Sequence, residues 1–201
     1  MDIRDGGDDS HRRNEWGADM LTRFSTTRAL FDEFPTLRQA ARVLPGEDEP
    51  VAFVRKLAGQ GKLREAVAIC AYILRKREAV AWTCHCLRSR PQLAPPDDQA
   101  ILAAEAWVAR PDEEARDIAH RWGQAGDQNK PTTWAAYAAG FTSGNLAVTH
   151  EGPIRMPGHL TAESARVALV LAETQMELDE AKVFLKGCLD AALGAIGRAE
   201  A

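Results

Sequence analysis

The chain has 201 residues, 45% hydrophobic and 27% charged, with a net charge of −4, which is the balance of a globular protein with a real core. No apolar run approaches the ~18 residues that a membrane span needs, and the opening stretch MDIRDGGDDSHRRNEWGADM has no apolar core of a signal peptide. Four cysteines in such a chain do not suggest a disulfide framework, so a cytoplasmic location is expected.

Alanine is abundant and β-branched residues are not gathered in alternating runs, which favours helix over sheet throughout. Residues 1–25 read as a disordered N-terminal tail, with Trp16, Met20, Leu21 and Phe24 as an apolar anchor inside it. A single all-helical domain is expected over 26–199. Thr26–Phe34 is a short helix opened by Thr26. Thr36–Leu44 follows, with Leu37, Ala40, Ala41 and Leu44 at helical spacing. Pro45-Gly46 is a break.

Pro50 belongs in the first turn of the next helix, after Glu47, Asp48 and Glu49. Phe53, Val54 and Leu57 form its apolar face, and Gly59-Gln60-Gly61 ends it. Leu63–Leu74 carries Val67, Cys70, Ala71 and Leu74 at i, i+3, i+4 and i+7. The phrase REAVA then occurs twice, at Arg64–Ala68 and Arg77–Ala81, and Arg64–Arg75 matches Arg77–Arg88 at seven of twelve positions. The copies are thirteen residues apart, which on one continuous helix would set their faces roughly 140° apart. A break near Arg75-Lys76-Arg77 lets each copy bury its own face.

Arg90-Pro91 to Pro95-Pro96 is a loop. Asp97-Asp98 starts a helix through Ala109, and Pro111 restarts one with Asp112, Glu113 and Glu114 in its first turn, acid at the positive helix end. Its apolar stripe is Ala115, Ile118, Ala119 and Trp122. After a connector from Gly123 to Lys130, Trp134, Tyr137, Ala138 and Phe141 repeat that spacing, so the two helices make a hairpin. Ser143–Leu160, with Gly144, Gly152, Pro153, Pro157 and Gly158, is a long loop of the kind that carries function. Thr161 is a cap for the next helix, which holds Val167, Leu169, Val170 and Leu171. A last helix runs from about Leu178 to Ile196 with Val183, Phe184, Cys188 and Leu189. The fold class is therefore all-α with no strand: an irregular array of about eight or nine short antiparallel helices, in helical hairpins or a solenoid-like stack.

Cys84-His85-Cys86 raises the question of a metal or thiol site. On a helix Cys84 and Cys86 lie about 200° apart, so they cannot grip one tetrahedral ion together. The chain has no CxxC and no HxxxH. Burial on two sides, through Val80, Cys84 and Leu87 on one stripe and Trp82 and Cys86 on another, explains the pattern. No GxSxG, GxxxxGKS/T, GxGxxG or HExxH occurs, and no cofactor or catalytic residue is expected.

Charge is unevenly spread. Residues 55–90 hold nine Lys/Arg against two Glu, between acidic flanks. Such a segment can meet an acidic partner or the neighbouring helices of the same protein, and the second is favoured. It is the best case for nucleic acid, but it lacks interleaved aromatics and any reading motif, and the chain is acidic overall, so nucleic acid is disfavoured.

The phrases LREAVAICAYIL, KREAVAWTCHCLR, AAEAWVARPDEEAR and TTWAAYAAGFTSG resemble those of an uncharacterised proteobacterial family of helical proteins found with gene clusters of the type VI (contractile) secretion apparatus. The resemblance spans about Pro35 to Gly194. Similar proteins often carry Pro before the REAV phrase, where Arg75-Lys76 stands here. The residues themselves read as a non-enzymatic protein-interaction module, and the resemblance implies an accessory or adaptor of a secretion system with a protein partner. The candidate partner-binding residues are Arg75, Lys76, Arg77, Arg88 and Arg90 in the basic segment, and His150, Arg155, Met156 and His159 in the long loop.

Overall fold

The computed structural model describes residues 24–150 and 152–199. The expected tail, with Trp16, Met20 and Leu21, lies outside them up to residue 23. Among the described residues the chain forms ten helices: α1 (Thr27–Glu33), α2 (Pro35–Ala41), α3 (Pro50–Gly59), α4 (Leu63–Ile73), α5 (Lys76–Arg88), α6 (Gln99–Ala109), α7 (Glu113–Ala125), α8 (Pro131–Gly140), α9 (Leu160–Thr174) and α10 (Leu178–Ala199). An antiparallel hairpin, β1 (Asn145–Thr149) and β2 (Gly152–Arg155), separates α8 from α9. The expectation of no strand is thus corrected. Gly152, at φ 123, supplies a backbone state that the tight reversal needs and that helical spacing cannot reveal.

Most helix starts follow from local chemistry. The Thr26 hydroxyl accepts from the Ala29 amide, Glu49 from Val51 and Ala52, Asp98 from Ala100 and Ile101, and Asp112 from Ala115. Each satisfies backbone donors that a first turn leaves unpaired. Pro35, Pro50 and Pro131 stand at first positions, where a missing N–H costs nothing.

Four sequence expectations change. α2 stops at Ala41, because Arg42 adopts the left-handed conformation at φ 49, and Leu44 is left 90% exposed. α7 runs to Ala125, past the expected connector start, with Gly123 inside it against the Tyr137 ring. Ile118 and Trp122 stay partly exposed, since α7 turns Ala115, Ala119 and Gly123 inward. On α10, Val183 is exposed while Phe184, Cys188 and Leu189 are buried.

One hydrophobic core runs from Leu30 to Ile196. α4 packs against α2, α3, α9 and α10, while α5 packs against α6, α8, α9 and α10. The array closes on itself, because the two last helices return to cover the two central ones. Alanine makes this possible. Ala135, Ala136, Ala138 and Ala139 of α8 and Ala165, Ala168 and Ala172 of α9 are buried, and the two helices pack on each other. Small side chains let helix axes approach, and at Gly140 any Cβ would stand 2.7 Å from the His120 Cα. On the outer side of α7 and α8, the rings of Tyr137 and Phe141 stack at 5.0 Å, with His120 and Trp134 beside them.

Candidate interaction surface

The two segments singled out in the sequence meet in space. The helix break falls at Leu74-Arg75, whose backbone is extended, so α4 and α5 are separate helices as the repeat requires. The Arg75 amide donates to the Glu78 carboxylate at 3.2 Å, which caps α5 without Pro or Gly. From the first turn of α5 the Lys76 ammonium donates to the Thr142 carbonyl at 2.6 Å. Beside it the Arg116 Nη1 of α7 donates to the Ser143 carbonyl at 2.7 Å. Gly144, at φ 90, lies against the Arg116 guanidinium where a side chain would collide.

These two cations hold the base of the hairpin. The Met156 amide closes it with a 3.0 Å bond to the Gly144 carbonyl. The ladder pairs Asn145 with Arg155 and Thr149 with Gly152, with an irregularity between Asn145 and Ala147. Pro153, Ile154 and Arg155 are exposed, Ile154 by 48%. His150 is exposed at the turn, and Met156 is half-buried. His159 sits apart from the hairpin, as the cap residue of α9 beside a groove toward α2 and α4.

Much of the basic segment is engaged internally. The Arg77 Nε donates to the Val108 carbonyl. Arg88 forms a two-pronged pair with Glu105, both bonds 2.7 Å, and reaches the Ala94 and Pro95 carbonyls. The Arg90 Nε lies 3.9 Å from Glu180. Arg64 pairs in two-pronged fashion with Glu173, at 2.7 and 2.8 Å, and Lys56 with Asp48. The acceptors are carboxylates of the acidic flanks and the carbonyls of Ala94, Pro95 and Val108, so the charge asymmetry is matched within the fold. Arg88 and Arg90 are at the far end of α5 from the hairpin base.

Around residue 85 the helix is buried on both sides. Cys84 and Cys86 are buried and His85 is exposed. Burial pushes the thiols of Cys84 and Cys70 up to about 12. The Cys86 thiol is hydrogen-bonded to that of Cys188, and this contact, with burial, raises it well above the ordinary cysteine value. Among the described residues no three His, Cys, Asp or Glu side chains gather to hold a metal ion. The Trp82 indole donates to the Cys188 carbonyl at 2.8 Å, which ties α5 to α10.

A second polar cluster has no counterpart in the sequence reading. The Tyr72 hydroxyl donates to Glu163 at 2.6 Å, and Arg166 donates to the same carboxylate through Nε and Nη2. Burial pushes the Glu163 carboxyl up, but the hydrogen bonds from Arg166 and Tyr72 outweigh it and hold the group below the usual carboxylate range. Burial raises the Tyr72 phenol, and the bond to Glu163 adds to the effect. Glu163 and Arg166 line a groove of about 480 Å³ with Arg42, Arg64 and His159. Only the spacing of Glu163 and Arg166 was legible beforehand. Tyr72 is 91 positions from Glu163, and no local signal joins them.

With this helical architecture and hairpin in place, comparison with known proteins gives a family. The chain belongs to a family of unknown function, DUF6931, which matches residues 53–196, from within α3 to within α10. No curated protein matches the chain. No solved structure matches it either.

Proposed function

We propose that this chain is a non-enzymatic protein-interaction module and an accessory or adaptor of a bacterial contractile secretion system. The observation that carries the reading is the hairpin. A two-stranded ribbon is marginal alone in water, and among the described residues neither strand of this pair has a second strand beside it. A partner's strand could pair there, with Ile154 and Arg155 as side-chain contacts. Lys76 and Arg116 anchor the ribbon on α5 and α7, which supports its reading as a held platform. The secretion assignment rests on the resemblance of the REAV phrases.

Affinity capture from native cells tests both parts. The wild-type chain is expected to recover a secretion component, and the Ile154→Asp/Arg155→Glu variant is expected to lose it. A capture that recovers no specific protein removes the interaction reading. A specific partner unrelated to secretion retains the module and removes the adaptor role. A partner held equally by both chains moves the surface away from the hairpin.

A further inference from the structure

We propose that the groove between α2, α4 and α9 binds a phosphate monoester. This stands whether or not the hairpin recruits a protein.

The starting point is Arg42. It closes α2 in the left-handed conformation, at φ 49, and among the described residues no other non-glycine has a positive φ. That place at a helix end is usually held by Gly or Asn, because a Cβ is strained there. The side chain gives the fold nothing in return. It is exposed, and among the described residues it makes no hydrogen bond or ion pair. It does line the groove. A strained backbone that holds an idle cation beside a groove points to a ligand from outside the fold.

Two more arginines line the groove from other helices. Arg64 of α4 gives Nε and Nη2 to Glu173, and Arg166 of α9 gives the same two atoms to Glu163. Each keeps Nη1 without a partner among the described residues. The Arg64 side chain is 60% exposed, and the Arg166 Nη1 is not buried. The carboxylates hold both forks in place, since Glu173 is nearly buried and Glu163 is fixed again by the Tyr72 hydroxyl. His159, which takes the cap place expected of Thr161 with no side-chain bond to α9, also lines the groove. The lining thus carries three guanidiniums and an imidazole against two carboxylates, Glu65 and Glu163.

Donors that arrive from three helices suit a tetrahedral anion. A planar carboxylate is satisfied by one guanidinium fork, whereas a phosphate monoester turns three oxygens and nearly two negative charges toward separate donors. At about 480 Å³ the groove has room for the phosphate and a small organic body, with Gln39, Ala68 and Val170 also in the lining. Two sources carry that chemistry: a soluble small phosphate, and a phosphorylated side chain of a polypeptide.

Amide NMR on the full chain at fixed ionic strength tests the proposal with three probes: glycerol 3-phosphate, N-acetyl-phosphoserine amide, and glycerate, a carboxylate of similar size. Both phosphates are expected to shift the Arg42, Ala68 and Arg166 amides at millimolar concentration, and glycerate to bind at least about tenfold more weakly. The tighter phosphate names the source. Arg42→Gly relieves the left-handed backbone and removes the guanidinium. It is expected to weaken both phosphates at least about tenfold while the melting temperature holds or rises. Arg55→Ala removes an exposed charge of α3 outside the groove, and is expected to change affinity by less than about twofold. No shift with either phosphate overturns the proposal, as does glycerate binding as tightly as phosphate. Equal losses from Arg42→Gly and Arg55→Ala overturn it too, because the response would then be to net charge. The wild-type comparison of phosphate with glycerate decides the matter even if a variant does not fold.

Discussion

The chain repeats seven of twelve residues between Arg64–Arg75 and Arg77–Arg88, and the two copies lie in consecutive central helices. At three shared apolar positions the burial agrees. Ala66 and Ala79 are buried, as are Val67 and Val80, and Leu74 and Leu87. Where they differ, the neighbours differ. Tyr72 of α4 is buried and bonded to Glu163 of α9, while His85 at the same place in α5 is exposed. Ile69 is matched by Trp82, whose indole reaches the Cys188 carbonyl. Even at a shared position the partners differ: Arg64 pairs with the nearly buried Glu173, while Arg77 donates to the Val108 carbonyl. The shared core positions thus secure repeated burial, while the unrepeated positions and the different surroundings of Arg64 and Arg77 set which helix each copy holds.

Substitution at matched positions can break that comparison. The largest effect is expected at Trp82→Ala, about 3–5 kcal/mol by urea denaturation, from the cavity and the lost indole bond to the Cys188 carbonyl. Ile69→Ala removes less volume and is expected to cost somewhat less, about 2–4 kcal/mol. A cost under about 1 kcal/mol at either position would mean that the copy in question is not core.

Next come the paired arginines. Arg64→Ala leaves Glu173, whose side chain is 10% exposed, without its partner, and is expected to cost about 2 kcal/mol. Arg77→Ala loses one exposed bond to a carbonyl, about 0.5 kcal/mol. Adding Glu173→Gln to Arg64→Ala should recover part of the loss, and equal costs for the two arginines would refute the asymmetry.

Tyr72→Phe is expected to cost about 1.5 kcal/mol at neutral pH. Because the Glu163 carboxyl is held below its ordinary value when folded, its stabilisation is present above the unfolded value and is lost as pH falls through the folded one. The gap between wild type and Tyr72→Phe should therefore narrow below about pH 4. A gap that widens in acid would contradict an ionised Glu163. The smallest effect belongs to the matching position: His85→Ala, on the exposed side of α5, should change stability by less than about 0.5 kcal/mol.

The helices were legible because their signals are local. Acidic caps at Glu49, Asp98 and Asp112, prolines at Pro35, Pro50 and Pro131, and apolar spacing all act within four or five residues. The break between the copies was legible as well, because one helix cannot aim both apolar faces at a core. The hairpin was not, because its strands are short and irregular and lie inside a glycine- and proline-bearing stretch that reads as loop. Leu44, Ile118 and Val183 sit at helical spacing yet are exposed, because spacing defines a face and only the neighbouring helices decide whether it is covered.

The candidate surface divides in the same way. Arg75 and Lys76 could be named from charge, but their meeting with Thr142 and Thr161 depends on α8 and α9 returning to α5. By itself the sequence determined an all-helical chain, the starts of most helices, and two central helices that bury matching faces, since each of these follows from contacts within a few residues. Only the tertiary structure decided which acid each arginine meets, that Tyr72 rests on Glu163, and that the buried Thr161 hydroxyl has no hydrogen-bond partner among the described residues. Those depend on side chains that are distant along the chain and adjacent only once the closing helices have packed.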